Sequence, residues 1–304
     1  MTIAEAFGSL KIEDPLFARN LSVFPMTNGE DLLKKNLITL EEGMGAGSVA
    51  VNELDTPIID KIRIDNMDED DLFLLDGEEI FGARQTRITT TAALVPAKTN
   101  IQMPVACIEE GRWDGDSGFE GSFTSAHPRL RSIICKGVND SLSKGLNYKA
   151  PQKEVWNEVT RKLTSLEVSS GTSSFHDISS ALKEETGRYL IEPEAMDGAR
   201  GMIVTSGLKL LGIEYSATTS LFKRLLPKLL RGYSLDAMEQ RSSSKPPDKK
   251  NLGKILNRIQ GLRGKGFAGV SSGKELRFSD SELLGRALVI DDCILQASFF
   301  PALN

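Results

Sequence analysis

Between Leu72 and Trp113 the chain reads LFLLDGEEIFGARQTRITTTAALVPAKTNIQMPVACIEEGRW, a long stretch of β-character with charge set into it. Residues 72–75 are an apolar run of the kind that forms a strand buried on both faces. Arg87 to Val95 is rich in Thr, Ile and Val, which suit a pleated surface, and Pro96 ends it. From Ile101 the pattern alternates, so Ile101, Met103, Val105 and Cys107 share a face. Pro104 inside that run predicts an edge strand or a bulge. Glu109 continues the parity of Cys107 and therefore points inward if the strand extends so far. Glu78 and Glu79 are adjacent and face opposite sides of an extended chain, so one of them also turns inward. A desolvated carboxylate needs a partner. Arg87 and Arg112 are the candidates, and the sequence leaves two readings open: a structural ion pair at a sheet rim, or a site where perturbed carboxylates gather. Gly77, Gly82 and Gly111 flank these groups, marking bends or a close approach of another chain or ligand.

Two strings carry a family resemblance: LLDGEEIFGARQTR (residues 74–87) and VACIEEGRW (residues 105–113). They resemble the paired motifs of the family associated with ADP-ribosylglycohydrolase (ARG) and rhodanese-phosphatase-superfamily proteins. The likeness continues through NLSVFPM near residue 20, QKEVWNEV near residue 155 and the Leu-rich helix ending near Ala237. Thr86, Ala106 and Glu110 stand where the family pattern has Asn, Ser and Gln, so hydrogen-bonding roles at those positions do not carry over. The resemblance implies a link to NAD and ADP-ribose metabolism by association.

Together these features predict a site for an NAD- or ADP-ribose-derived nucleotide. Arg87 and Arg112 would hold phosphate, Trp113 would stack on or wall the base, Gln85 would read a polar edge and Glu78 would line the site. Glu79 or Glu109 would serve as general base toward water, provided burial raises its pKa. The rival expectation is a non-catalytic binding or adaptor module whose Glu/Arg network is structural. Whether the protein is an enzyme is left open.

With 40% hydrophobic and 26% charged residues the chain has the balance of a globular protein. At 304 residues it is expected to form a single domain over 1–304, β-rich over 1–126, helical over 127–262 and stranded again over 263–304. A net charge of −5 gives no electrostatic case for nucleic acid. Cys107, Cys135 and Cys293 are too scattered for a disulfide framework or a zinc site, which fits a reducing, cytoplasmic setting. No apolar run has transmembrane length, and the N-terminus lacks the apolar core of a signal peptide, so no membrane association is expected.

Along the rest of the chain, strands are predicted at 21–24, 48–54 and 61–64, and a helical turn at 37–42. GMGAG (43–47) precedes a strand, the reverse of a phosphate loop, and is set aside. Residues 114–127, rich in Gly, Ser and Asp, are expected to form a loop. Helices are predicted over 128–142, 153–168, 174–190, 220–240 (with Pro227 kinking it or marking a late start) and 251–262. The 220–240 helix reads as core, with a subunit interface as the alternative; oligomeric state is not predicted. RSSSKPPDKK (241–250) reads as a mobile linker. Strand pairs follow around Gly207, around SSG (271–273) and around Asp291–Asp292. The resulting class is α+β: a β-rich N-terminal half, sandwich-like or a mixed sheet, then a helical middle and a C-terminal hairpin region.

His127 and His176 lack partners at metal-ligand spacing, so neither a metal nor a cofactor is expected; magnesium held by Glu78, Glu79 and Glu109 is the minority alternative. Cys107, mid-strand, reads as structural. Arg87, Arg112, Arg129 and Arg131 offer an anion-binding cluster, with an ordinary surface or ion-pair role as the favoured reading for any one of them.

Overall fold

A computed structural model describes residues 2–27, 31, 33–115, 118–240 and 245–303. The chain divides into two compact units. One comprises Met1–Lys35, Glu185–Ala268 and Gly273–Asn304; the other comprises Asn36–Glu184 with Gly269–Ser272. The class is α+β, as expected: strands dominate the N-terminal half, helices the middle and strands the end.

The chain enters the first unit with α1 (Ile3–Gly8), β1 (Lys11–Ile12), β2 (Leu16–Ala18) and β3 (Leu21–Thr27). It then builds the second unit from β4 (Leu37–Thr39), α2 (Leu40–Gly45), β5 (Val49–Asn52), β6 (Lys61–Asn66), β7 (Asp71–Leu74), β8 (Glu78–Gly82), β9 (Arg87–Thr89), β10 (Ala93–Val95), β11 (Thr99–Cys107) and β12 (Phe119–Ser125). The helices α3 (Pro128–Ser143), α4 (Gln152–Ser165) and α5 (Phe175–Ala181) follow, and α6 (Lys183–Gly187) leads back to the first unit. That unit is completed by β13 (Ala199–Ser206), β14 (Lys209–Ser216), α7 (Thr219–Met238), α8 (Lys249–Gly261), β15 (Lys265–Ala268), β16 (Lys274–Ser279), β17 (Leu283–Ile290) and β18 (Cys293–Pro301).

In the first unit one antiparallel sheet runs β1-β3-β13-β14-β18-β17-β16-β15, with β2 also on β3. One face is apolar. Phe24, Ile213, Tyr215, Phe278 and Phe299 pack against Phe7 of α1 and Leu252, Leu256 and Ile259 of α8. Another set of sheet residues is polar yet buried. Arg286 donates to both oxygens of Glu275 at 2.6 and 3.0 Å and to Gln296. Ser298 donates to Glu214 Oε2 at 2.9 Å and Tyr233 of α7 donates to Glu214 Oε1 at 2.9 Å. Thr218 caps α7 by accepting from Leu221 N–H. The helix runs through Pro227 without a late start, and its inner residues Leu221, Phe222, Leu225, Leu229 and Tyr233 are buried. Of the expected linker, residues 241–244 lie outside the described residues; α8 begins at Lys249 with Asp248 as its cap.

The second unit is sandwich-like. A six-stranded sheet, β12-β8-β9-β11-β6-β5, and a three-stranded sheet, β10-β7-β4, share a core that includes Ile62, Ile64, Ile80, Met103 and Val105 from the first and Leu72, Leu74, Ala93 and Val95 from the second. The expected helical turn at 37–42 is instead strand β4 followed by α2, which Thr39 and Glu42 close with a capping box. Pro104 is the point at which β11 changes partner: Thr99–Pro104 pair with β6 and Val105–Cys107 pair with β9. The missing N–H falls at that exchange, so the strand is neither a simple edge nor bulged there.

Two further expectations fail locally. Residues 119–125 are strand, not loop, because pairing with β8 overrides the weak β-propensity of Gly and Ser. The single helix expected over 174–190 is broken at Leu182 into α5 and α6.

Candidate functional site

The hairpin β8–β9 sets the geometry. Glu79 pairs with Ile88, and Ile80 with Arg87. Paired residues share a face and successive residues alternate, so Glu79 and Arg87 project from opposite faces. Cys107 pairs with Arg87 from the other side, which brings the end of the second motif alongside the first. The turn before β8 depends on Gly77, whose φ is +78°; an added Cβ would stand 2.6 Å from Arg131 Cγ.

Glu109 is a clamp. Arg112 donates to it through Nε at 2.9 Å and Nη2 at 2.7 Å. Thr86 donates through both its backbone N–H and its hydroxyl at 3.0 Å, and Thr172 through its hydroxyl at 2.8 Å. Burial by itself raises the carboxyl pKa, but the hydrogen bonds from Arg112, Thr86 and Thr172 outweigh it and hold the group down to about 2. That runs against the general-base role expected of Glu109, which required burial to win. Arg112 uses its remaining reach on the carbonyl oxygens of Ala83 at 2.5 Å and Asp114 at 2.7 Å. The guanidinium expected to hold phosphate thus ties three segments of chain together.

Arg87 is placed differently. Its side chain is 0% exposed. Nη1 donates to Gln85 Oε1 at 2.9 Å, and Gln85 Nε2 donates to the Glu109 carbonyl at 2.9 Å. Gln85 therefore orients Arg87. Nε and Nη2 have no hydrogen-bond acceptor. The nearest anion, Glu53 Oε1, is 3.7 Å from Nη2, and both Glu53 oxygens are themselves buried without a donor. Trp113, 42% exposed, lies over these groups with its ring centroid 5.4 Å from the Arg87 guanidinium and 5.9 Å from that of Arg84. Beneath, Cys107 Sγ donates to the Glu109 carbonyl at 3.0 Å, and burial pushes the thiol pKa up, so it is a packing group rather than a nucleophile.

The other carboxylates part company. Glu78 Oε2 accepts from Leu75 N–H at 3.0 Å and closes the turn. Glu79, fully buried, accepts from Ser122 and Ser179 on one oxygen and faces His176 Nδ1 at 3.1 Å on the other. Glu78, Glu79 and Glu109 thus turn to separate partners, and among the described residues no group of three His, Cys, Asp or Glu side chains converges as metal ligands do. Arg129 and Arg131 do not join Arg87: Arg129 binds Glu158 at 3.0 Å and Arg131 binds Asp76 at 3.0 Å.

A family profile matches residues 9–300. The chain belongs to the ARG and Rhodanese-Phosphatase-superfamily-associated Protein domain family. It has no match among the curated proteins or the solved structures. The ARG and rhodanese-phosphatase-associated domain here spans both units, and its two motifs meet at the β8–β9–β11 junction. Of the three departures from the family strings, Thr86 supplies two donors to Glu109, Ala106 is buried and Glu110 is exposed.

Three participants escaped the sequence reading. Glu53 shares the parity of Val49 and Val51, so its inward direction was available from the alternation alone. His176 and Ser180 stand four residues apart on a helix, the spacing that puts two side chains on one face. Glu79, which faces His176, is 97 residues away from it, and nothing local announces the contact.

Proposed function

We propose that the second unit binds an NAD- or ADP-ribose-derived nucleotide at Arg87, Glu53 and Trp113. One observation carries this reading: buried Arg87 and the buried carboxylate oxygens of Glu53 form only a loose ion pair at 3.7 Å, with two guanidinium nitrogens and both carboxylate oxygens making no hydrogen bond. Such groups are costly to leave unsatisfied. A ligand that satisfies both must present acceptors and donors side by side, as a ribose phosphate does through its phosphate oxygens and vicinal hydroxyls. The half-exposed indole of Trp113 offers an aromatic plane for the base. Glu109 and Arg112 hold the segment that carries Trp113, and Gln85 aims Arg87. The family's association with ADP-ribosylglycohydrolases points to the same ligand class.

The test is thermal denaturation and tryptophan fluorescence with ADP-ribose, NAD, AMP and ribose 5-phosphate. A ligand at a hundredfold excess over its Kd stabilises by about 2.7 kcal/mol, a shift of several degrees. The expected result is a saturable shift with ADP-ribose that is lost in Trp113→Ala and Glu53→Gln. No shift with any adenine nucleotide at millimolar concentration refutes it. In that case the Glu109–Arg112 clamp favours the second reading, a binding module whose motif network is purely structural.

A further inference from the structure

Glu79 leads away from the nucleotide groups, on the opposite face of the hairpin. Its Oε1 faces His176 Nδ1 at 3.1 Å, and His176 Nε2 in turn faces Ser180 Oγ at 3.0 Å. The carboxylate is fully buried, the imidazole partly so, and Ser180 is exposed. The chain of contacts therefore runs from the interior to the surface. Each position is fixed by something other than the relay. Ser122 and Ser179 hold Glu79 Oε2. Phe81 stacks on the imidazole with centroids 3.7 Å apart. Helix α5, capped by Ser174 at His176 N–H, sets His176 and Ser180 one turn apart.

One neutral tautomer satisfies both contacts. Nδ1–H donates to Glu79, which leaves the Nε2 lone pair to accept the Ser180 hydroxyl proton. This is the order of groups that activates a serine: a buried carboxylate orienting an imidazole that faces a hydroxyl. We propose that Glu79, His176 and Ser180 form a nucleophilic relay that hydrolyses neutral carboxylic esters through an acyl-Ser180 intermediate. The substrate class follows from charge. The charges that act most strongly on His176 are Glu79 from β8, Asp177 from its own helix and Glu109 beyond the end of β11; these are carboxylates, which repel a phosphate ester and leave a neutral ester indifferent.

The steps balance without a further reagent. His176 Nε2 takes the Ser180 proton as the Oγ–carbon bond forms. The tetrahedral adduct expels the alcohol oxygen, which leaves with the proton from His176. Water then attacks the acyl carbon, His176 takes its proton, and that proton returns to Ser180 Oγ as the acid departs. Burial lowers the imidazole pKa, but the hydrogen bond and charge of Glu79, with Asp177 and Glu109, outweigh it and raise it above the ordinary histidine value. The basic form therefore grows as pH rises past neutrality.

The experiment uses the full chain with a fluorophosphonate probe, peptide mapping by mass spectrometry, and p-nitrophenyl acetate turnover. The expected result is one adduct, on Ser180, absent in Ser180→Ala, whose exposed site leaves the fold intact. In His176→Gln the labelling rate falls by about a hundredfold or more, the scale of general-base catalysis. In the unmodified chain the rate rises with pH through a midpoint above 6.5, which a merely structural hydrogen bond does not produce. No adduct, an adduct on Ser122 or Ser179, or equal labelling in Ser180→Ala overturns the proposal.

Discussion

Replacing Glu109 with Gln tests whether the second motif is held by charge. The carboxylate sits near pKa 2 in the fold against about 4.5 for a free Glu. That difference corresponds to roughly 3 kcal/mol of stability. Because the folded pKa is the lower one, this stability is fully present above about pH 4.5 and is lost as pH falls toward 2. At pH 3 somewhat less than half should remain by the same linkage relation. Gln keeps the shape but carries no charge and offers one acceptor oxygen in place of two, so Arg112 loses its ion pair and keeps only its bonds to the Ala83 and Asp114 carbonyls and one to the amide. Urea unfolding at pH 7 should therefore show Glu109→Gln about 3 kcal/mol less stable than the parent. The gap should narrow by roughly 2 kcal/mol at pH 3. A loss below about 1 kcal/mol at pH 7, the scale of a surface ion pair, or a gap that ignores pH, refutes the clamp.

Three further outcomes follow from the packing. Gly77→Ala forces a side chain into a backbone at φ +78° and against Arg131, so denaturant unfolding should register a loss of about 1–3 kcal/mol. Tyr233→Phe removes the phenol that donates to the buried Glu214, and calorimetry should show a loss of about 1.5–3 kcal/mol. Burial raises the thiol pKa of both Cys107 and Cys293, but Cys107 is fully buried and Cys293 half-buried, so a disulfide reagent at pH 8 should modify Cys293 in the native protein and reach Cys107 only on unfolding.

Much of the second unit was readable from local pattern. The alternation from Ile101 to Cys107 and the inward parity of Glu109 follow from a period of two, the apolar run at Leu72 from burial on both faces, and each is found in the fold. What pattern could not supply was the choice of partner. Glu109 took Arg112, three residues on, while Arg87 was left facing Glu53, and both arginines looked equivalent in the sequence. The strand at 119–125 was hidden by Gly and Ser, whose low propensity is overcome only by pairing with β8. Its irregular register between Gly121 and Ser125 spans Ser122, which donates to Glu79. The helix break at Leu182 was equally hidden, since no Gly or Pro marks it. Glu79 and His176 are joined across 97 residues of sequence, a contact that only the tertiary fold creates.

The division of the chain also orders its own assembly. The second unit is drawn from one nearly continuous segment, whereas β3 at Leu21–Thr27 finds its sheet neighbour only at Ala199–Ser206. A chain made from its N-terminus folds by units as they emerge, so the second unit lacks only Gly269–Ser272 while the first still waits for most of its strands. During that wait β1 and β2 close one edge of β3, and the edge that β13 will occupy stays open. An open apolar edge is where strands of neighbouring chains add. A polypeptide stopped between residues 185 and 199 therefore carries a second unit lacking only Gly269–Ser272 and an adhesive N-terminal ribbon, and self-association is the fate its architecture assigns to it.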